Sequence, residues 1–281
     1  MSVNEKKPEI WDAYYPDGTI ADVDLVRGEP IPPEYRHGVA DIFVLHVDGS
    51  ILLMKRDYSK PNYPGYWECG AGGSILKGES FEDGAKRELQ EETGIITDTL
   101  TKINTTVTHD TIYKGYLCVT DVCKENVTLQ EGETIAYKWV DKQEFLKIFE
   151  SDQIVSRARE RWRPFVNIKF GESSPIGKLV TVTIDRPLGS YHPKHPDMYY
   201  PVNYGFIKGI MAPDGEEQDV YLLGIKEAVK TFTGKVIGVI HRNDDVEEKW
   251  IVCPEEMSFT REEIMKQVEF QEQYFDSYVV L

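Results

Sequence analysis

The first half of the chain alternates apolar and polar positions in short runs that are typical of β-strands. The strand-like segments of this half are 39–47, 50–56, 103–120 and 134–140. Asp48-Gly49 separates the first two, which predicts a hairpin with a tight turn. Residues 81–94 are rich in helix formers and end in Gly94, a residue favoured just after helices. The pattern therefore predicts short strands around one strong helix.

A second helix and a change of pattern follow. Asp141 and Glu144 have the spacing of a capping box, which predicts a helix that runs towards Arg163 and ends at Pro164. Gly, Ser and Pro cluster in 167–178, as expected of a boundary between domains. Beyond it, strand patterns at 178–186, 219–225, 235–242 and 249–254 precede a Thr-capped helix over 260–275. We expect a first domain over 1–168, a linker over 169–176 and a second domain over 177–281.

Composition narrows the class of protein. A length of 281 residues exceeds what one core usually organises, which agrees with two domains. The formal net charge of −16 argues against a binder of nucleic acid polymers, which need a basic surface. No signal peptide or apolar membrane span can be recognised, so we expect a cytoplasmic protein without a membrane partner. The four cysteines form no CxxC pair, so neither zinc nor disulfides are expected.

Three carboxylates converge on the predicted helix. Glu88 and Glu92 are i,i+4 neighbours and Glu91 lies three residues after Glu88, so all three fall on one patch. Such a patch is costly unless a cation neutralises it, and Mg²⁺ prefers carboxylate oxygens, with Mn²⁺ as its alternative. Arg87 is placed to orient one carboxylate, and the backbone at Gly73 can approach the ion. The alternative interpretation is a solvated acidic helix face.

The segment Gly73-x5-Glu79-x7-Arg87-Glu88-Leu89-x-Glu91-Glu92-x-Gly94-Ile95 resembles the Nudix box at every defining position. The resemblance implies an α/β/α sandwich and Mg²⁺-dependent hydrolysis of a nucleoside diphosphate linked to another moiety, with Glu88, Glu91 and Arg87 as catalytic residues and Gly73, Glu88, Glu91 and Glu92 at the metal. A fourth ligand outside the box is expected at Glu131 or Glu133.

The flanking strands resemble the Nudix branch that includes isopentenyl diphosphate isomerases. Those enzymes carry a catalytic cysteine five residues after a tryptophan. Here that position, counted from Trp67, is Gly72, and Cys69 is out of register. Isomerase activity is therefore not expected.

The segment 198–224 carries a second group of acids. It resembles the family I inorganic pyrophosphatases, whose pattern runs YPxNYG, a strand and D-G-D-P-x-D-V. The resemblance implies a small β-barrel that binds several Mg²⁺ ions and pyrophosphate. It assigns catalytic roles to Tyr204 and Asp219. The acids it places at the metal ions are Asp214, Glu216, Asp219 and Asp244, with Glu247 or Glu248 and Asp185 as further acids. The residues it places at phosphate are Lys194, Lys249 and Tyr274.

The second segment also departs from that family. Glu216 and Gln218 stand at an acid and an apolar position, a hairpin that carries an acid and an Arg is largely missing, and Phe275 replaces a phosphate-binding Lys. His192 and His195 are placed either to bind phosphate or metal or to form a rigid loop contact. The arginines at 157, 159, 161 and 163 either receive an anionic substrate or are solvated.

Together these patterns predict a two-domain hydrolase: an α/β Nudix domain followed by a small, mainly β pyrophosphatase-like barrel. In a relay, the first domain cleaves a nucleoside diphosphate or triphosphate derivative and the second hydrolyses pyrophosphate. The alternative is a second domain that binds phosphate compounds without turnover, as a regulatory or dimerising module in a homo-oligomer. A protein in which both domains only sense nucleotides is disfavoured by the complete Nudix box.

Overall fold

A computed structural model describes residues 8–171, 174–212, 215–245 and 247–281. The chain forms two compact units, Met1–Arg163 and Pro164–Leu281. This division falls before the predicted linker 169–176, and the limits 1–168 and 177–281 stay a prediction. No helix among the described residues is long and apolar enough to cross a membrane.

The first unit contains a two-stranded hairpin and a seven-stranded sheet. The hairpin strands are β1 (Ile10–Tyr14) and β2 (Ile20–Val26). The sheet strands are β3 (His37–His46), β4 (Ile51–Arg56), β5 (Trp67–Glu68), β6 (Ala71–Ser74), β7 (Thr101–Val107), β8 (Thr111–Thr120) and β9 (Thr134–Val140). β3 is central: it runs parallel to β8 and antiparallel to β4 and β6. The predicted turn at Asp48-Gly49 joins β3 to β4.

Three helices lie in this part of the chain: α1 (Phe81–Thr93), α2 (Lys142–Phe149) and α3 (Ser156–Phe170). Residues of β3 alternate between the two faces of the sheet. Ile42 joins the buried cluster that contains Leu89 of α1, whereas Phe43 packs edge-on against Phe145 of α2 and Trp162 of α3. The sheet is therefore covered by helices on both faces, and the predicted α/β sandwich is confirmed.

The predicted single helix from Asp141 to Arg163 is wrong, because the chain forms two helices there. Asp141 does cap α2 by accepting a hydrogen bond from the Glu144 backbone N–H. Between the helices the chain pairs with Trp67, whose N–H donates to Gln153 and whose carbonyl accepts from Val155. These long-range bonds interrupt the helix. Pro164 does not end α3 but lies inside it, where it removes one hydrogen bond of the helix.

The described residues of the second unit form a small β-barrel with helix α4 (Arg261–Glu272), and the last turns of α3 also fall in this unit. Its strands are β10 (Leu179–Arg186), β11 (Asn203–Met211), β12 (Glu217–Leu222), β13 (Thr231–Arg242), β14 (Glu248–Cys253) and β15 (Ser277–Val280). The order is β10-β11-β12-β14-β13-β15, and β10 also pairs with β13, which closes the barrel. All pairs are antiparallel except β12 with β14. The mainly β second unit is thus confirmed.

Helix α4 (Arg261–Glu272) begins after the predicted N-cap Thr260, which forms a capping box with Glu263. Its buried residues Ile264 and Val268 pack in one cluster with Tyr204 and Tyr221 of the barrel. The short strand β15 was not predicted from the hydrophobic pattern. It pairs with β13 over Val239–Arg242.

Candidate active sites

Helix α1 carries the first candidate site. The Ser80 side chain caps its N-terminus by accepting from the Asp83 N–H, and Gly94 ends it with φ 74°. Both ends of the helix are therefore fixed by local sequence. Ala85 and Leu89 are buried against the sheet, so the stripe beside them, with its glutamates, faces away from that core.

Arg87 connects this helix to the loop before it. Its Nε and Nη2 donate to Glu79 at 2.7 and 2.9 Å, and Nη2 also donates to the Ser74 carbonyl at 2.9 Å. Nη1 donates to Glu88 at 2.7 Å and to Glu91 at 3.3 Å. A planar guanidinium can make these bonds together because its donors form a rigid fork. Arg87 thus orients Glu88, as the sequence predicted.

The glycines of β6 make room for the glutamates. A Cβ on Gly73 would lie 2.3 Å from the Glu88 carboxylate carbon, so a larger residue there would displace that side chain. The Gly72 N–H donates to Glu92 Oε2 at 3.1 Å. The backbone at Gly72 and Gly73 therefore lies directly against two of the three predicted metal-binding carboxylates.

Burial and mutual repulsion perturb these carboxylates. Desolvation raises the pKa of Glu88, against the opposing effect of Arg87. Desolvation, with repulsion from Glu68 and Glu88, raises the pKa of Glu92 well above its usual range. The Arg87 hydrogen bonds instead lower the pKa of Glu79. Without a cation the site thus disfavours ionisation of Glu88 and Glu92, and a bound cation would offset that cost.

A cavity of about 390 Å³ opens beside α1. Its carboxylates are Glu9, Glu88, Glu91, Glu92 and Glu133, and its cations are Arg27, Arg56, Lys60 and Arg87. Of the two acids predicted as an extra ligand, Glu133 lines this cavity, whereas Glu131 is exposed and is not among its lining residues.

Arg27, Arg56 and Lys60 were not predicted as site residues. Each is paired with an acid: Arg27 with Glu9 at 2.6 Å, Arg56 with Glu68 at 2.8 Å, and Lys60 with Glu133. Lys60 belongs to the Pro- and Gly-rich loop after β4. Because binding residues often lie in loops, its position in this loop was the sequence feature that could have marked it as a candidate site residue.

The donor set suits a hard divalent cation. The carboxylates of Glu88, Glu91, Glu92 and Glu133 line one cavity, and Mg²⁺ prefers oxygen ligands and retains waters and phosphates. Among the described residues, no group of three His, Cys, Asp or Glu side chains lies close enough together to hold a metal ion. Glu88 and Glu91 are held instead by Arg87, Glu133 by Lys60, and Glu92 by the Gly72 backbone N–H.

Cys69 lies in a separate small cavity with Asp41, Glu68 and Trp162. Burial raises the pKa of its thiol, and the nearby Glu68 and Asp41 add to this effect. A thiol in such surroundings stays protonated and is a poor nucleophile.

The second candidate site lies in the barrel. Tyr204 donates to Asp219 Oδ2 at 2.5 Å, and Lys249 Nζ donates to the same oxygen at 2.7 Å and to the Tyr204 hydroxyl at 2.8 Å. Lys249 also contacts Glu247 Oε2 at 2.9 Å, and its side chain is only 2% exposed. Burial and the Asp219 charge raise the pKa of Tyr204 well above its usual range. Three residues predicted from separate segments are thus brought together.

Other predicted residues of this unit lie elsewhere. Both carboxylate oxygens of Asp244 accept from the Asp276 N–H at 3.1 and 3.2 Å, so this acid caps a loop, and Glu247 is the acid beside Lys249. Glu216 is exposed in the turn before β12. Lys194 and Tyr274 line a separate groove of about 500 Å³. The remaining two acids are Asp185, exposed on β10, and Asp214, which lies outside the described residues.

An ion network that the sequence did not predict lies next to Lys249. Arg242 donates to both oxygens of Glu272, at 2.7 and 3.0 Å, and to Glu247 at 2.8 Å. The side chains of Arg242 and Glu272 are 1% and 0% exposed. The Arg242 guanidinium stacks on Phe275 at 3.5 Å from the ring centre. An arginine therefore stacks on the phenylalanine that replaces the phosphate-binding lysine of the family.

His192 of the predicted histidine pair makes contacts within its own loop, whereas Arg157 and Arg161 of the arginine run line a cavity of about 600 Å³. His192 Nδ1 accepts from the backbone N–H groups of Lys194 and His195, which makes a compact loop. In the arginine run, Arg161 pairs with Asp41 at 2.6 Å and Arg163 with Glu150 at 2.8 Å.

Comparisons with known proteins agree with the two units. The family model described as NUDIX domain matches residues 35–159, and the one described as Inorganic pyrophosphatase matches residues 177–278. An uncharacterised Nudix hydrolase of Listeria monocytogenes is 31% identical over 52% of this chain and 88% of its own length. The ADP-ribose pyrophosphatase of Bacillus subtilis is 31% identical over 54% of this chain and 87% of its own.

Among solved structures, DR0079 from Deinococcus radiodurans is 18% identical, with a TM-score of 0.47 over 55% of this chain and 98% of that one. The identity and coverage of the Listeria monocytogenes relative decide the family. The fold and the α1 site are those of a hydrolase with a Nudix box. The chain belongs to the Nudix hydrolase family.

Proposed function

We propose that the first unit is a Mg²⁺-dependent hydrolase of nucleoside diphosphate or triphosphate derivatives. One observation carries this proposal: the three α1 carboxylates share a cavity with Glu133 and with four cationic side chains. The carboxylates of this cavity suit a divalent ion, and its cations suit phosphate oxygens. A relative named ADP-ribose pyrophosphatase supports a nucleoside diphosphate linked to a second moiety as the substrate.

Glu88, Glu91, Glu92 and Glu133 would hold the ion, with the Gly73 backbone beside it. When bound, Mg²⁺ draws charge from the diphosphate and activates water. Glu91, whose side chain is 45% exposed, positions or deprotonates that water, and Arg87 orients Glu88. The buried, protonated Cys69 favours hydrolysis over an isomerase mechanism that needs a cysteine.

A panel of nucleoside diphosphate and triphosphate derivatives tests the proposal, with phosphate and pyrophosphate both quantified. Wild type should hydrolyse at least one member in Mg²⁺ and none in a chelator, and Glu91→Gln should abolish that activity. Glu82→Gln is the matched control, because Glu82 is an exposed acid of the same helix paired with Lys86. Equal rates for Glu91→Gln and Glu82→Gln would refute the assigned site.

The second candidate function is hydrolysis of inorganic pyrophosphate by the barrel. It is supported by the Tyr204–Asp219–Lys249 cluster, because these residues match the active-site Tyr, acid and Lys of the pyrophosphatase pattern. The relay applies to a nucleoside triphosphate: hydrolysis between its α- and β-phosphates by the first unit yields a nucleoside monophosphate and pyrophosphate, and the second unit hydrolyses that pyrophosphate to two phosphates. A nucleoside diphosphate derivative yields two monophosphates and supplies no pyrophosphate to the second unit.

Asp219→Asn tests this second function. It should abolish Mg²⁺-dependent hydrolysis of free pyrophosphate and leave nucleotide hydrolysis unchanged, whereas Glu91→Gln should do the reverse. Glu255→Gln, an exposed acid between β14 and α4, is the control. If wild type and Asp219→Asn release phosphate from pyrophosphate equally, the relay is refuted. Pyrophosphate binding without turnover would then identify a phosphate-binding module.

A further inference from the structure

The four cations of the α1 cavity differ in how firmly their acids hold them. Arg87 is fixed by two bonds to Glu79, which does not line the cavity. Arg56 is fixed by Glu68, also outside the lining, and by the Asn62 carbonyl at 3.1 Å. Arg27 lies at the rim, with 55% of its side chain exposed.

Lys60, like Arg27 with Glu9, is held by an acid that lines the cavity, and it is the more buried of these two cations. Its side chain is 15% exposed, the lowest value of the four, and its ammonium contacts Glu133. Glu133 lines the cavity with the α1 glutamates, and its charge is among the causes that raise the pKa of Glu92. The partner of Lys60 is therefore an acid of the same cavity as the α1 carboxylates.

The backbone around this pair is fixed, but the lysine stem is not. The Asp57 N–H donates to the Glu133 carbonyl at 2.8 Å, and the Lys60 N–H donates to the Asp57 carbonyl at 3.2 Å. The two loops are thus held together by main-chain bonds. A lysine has a four-carbon flexible stem and three rotatable donors, so its ammonium can change partner without movement of the loop.

We propose that Lys60 is a phosphate-binding residue that Glu133 holds until a divalent cation takes that carboxylate. A cation on Glu133 competes with the Lys60 ammonium for the same oxygens, and the ammonium of a side chain that is only 15% exposed is costly to leave unpaired. A substrate phosphate is the anion that enters this cavity, and it replaces Glu133 as the partner. Metal binding and phosphate binding are coupled by this exchange.

The inference rests on the proposed metal-dependent function, and Mn²⁺ binding without substrate tests it. Mn²⁺ affinity is measured on the full chain by electron paramagnetic resonance. The Mn²⁺ ion that is lost in Glu88→Gln is the one that belongs to the α1 cavity. Lys60→Met should tighten this ion about fivefold, since it removes a competitor worth roughly the energy of a partly exposed ion pair. In a Glu133→Gln background the same substitution should have no effect.

Two further measurements complete the test. Arg27→Met removes a cation of the same cavity that does not contact Glu133, so any Mn²⁺ tightening it causes should be equal with and without Glu133→Gln. With Mg²⁺ at saturation, α,β-methylene-ADP should bind about fivefold more weakly to Lys60→Met than to wild type. Lys60→Arg should restore most of that affinity, because it keeps the charge.

The possible outcomes distinguish failure of the Lys60 proposal from failure of the proposed metal-dependent function. Unchanged Mn²⁺ affinity in Lys60→Met, or an equal gain in both backgrounds, would overturn the exchange between Lys60 and Glu133. Unchanged affinity of Lys60→Met for α,β-methylene-ADP would overturn the phosphate role. If Glu88→Gln removes no Mn²⁺ ion, the metal-dependent function itself is refuted.

Discussion

Replacement of Arg87 by lysine tests whether the orientation of Glu88 matters for activity. Arg87 makes five hydrogen bonds, four of them to the carboxylates of Glu79, Glu88 and Glu91 and one to the Ser74 carbonyl. A lysine keeps the charge but has one nitrogen, which cannot bridge Glu79 and Glu88 in the same geometry. The substitution therefore removes positioning without changing net charge.

The magnitude follows from the bonds that are lost. Lysine forfeits at least two charge-assisted bonds, each worth about 1.5 kcal/mol when the low end is taken. The low end is appropriate because 23% of the Arg87 side chain is exposed to solvent. Together they amount to about 3 kcal/mol, which corresponds to a fall of roughly 10²-fold in kcat/KM if the bonds act in the transition state.

The assay is kcat/KM for the best substrate of the panel, at low substrate and saturating Mg²⁺. Lys86→Ala is the control: Lys86 is the neighbouring cation of α1, and it pairs with Glu82 on the helix surface at 2.7 Å. That exposed pair contributes little, so activity should stay within about twofold. Arg87→Lys activity within about threefold of wild type, or no lower than that of Lys86→Ala, would refute the positioning argument.

Two further predictions concern stability. Arg242→Met leaves Glu272 buried without its cation and should lower the free energy of unfolding of the second unit by about 3–5 kcal/mol. Urea unfolding, together with hydrogen exchange of β13, measures this loss, and a loss under about 1 kcal/mol would contradict the prediction. Burial raises the pKa of Glu88 and Glu92, so at pH values just above the usual carboxyl range the folded protein binds more protons than the unfolded chain. The stability of the metal-free protein therefore falls as the pH rises from the usual carboxyl pKa through the raised pKa values of these two residues. Mg²⁺ should therefore raise the Tm more at about pH 7.5 than at about pH 5, and equal shifts would refute this.

Local rules were sufficient for much of the first site. The spacing of Glu88, Glu91 and Glu92 places them on one helix face whatever surrounds the helix, and Gly94 ends that helix through its own backbone preference. The sequence thus predicted helix α1 and the orientation of one of its carboxylates by Arg87 without knowledge of the sheet, whereas the room that Gly73 leaves for Glu88 was found only in the structure. It also predicted the Tyr204–Asp219–Lys249 cluster, through the resemblance to the pyrophosphatase pattern.

Other features depend on contacts between distant segments. The break between α2 and α3 follows from hydrogen bonds of Gln153 and Val155 to Trp67, and no helix propensity encodes that pairing. Sequence left Glu131 and Glu133 equivalent, and only the fold places Glu133 in the cavity.

By itself, the sequence indicated two domains and the carboxylate patch of α1 through length, periodicity and short spacing, and it indicated the α/β and β classes through its resemblance to two families. Tertiary structure alone decided which cations face those carboxylates and which acid holds Lys60. It also decided that Arg242, Glu272 and Phe275 form a buried network instead of a free phosphate site. The physical reason is that electrostatic partners are chosen by distance in space, and segments far apart in the chain come close only after the sheets have formed.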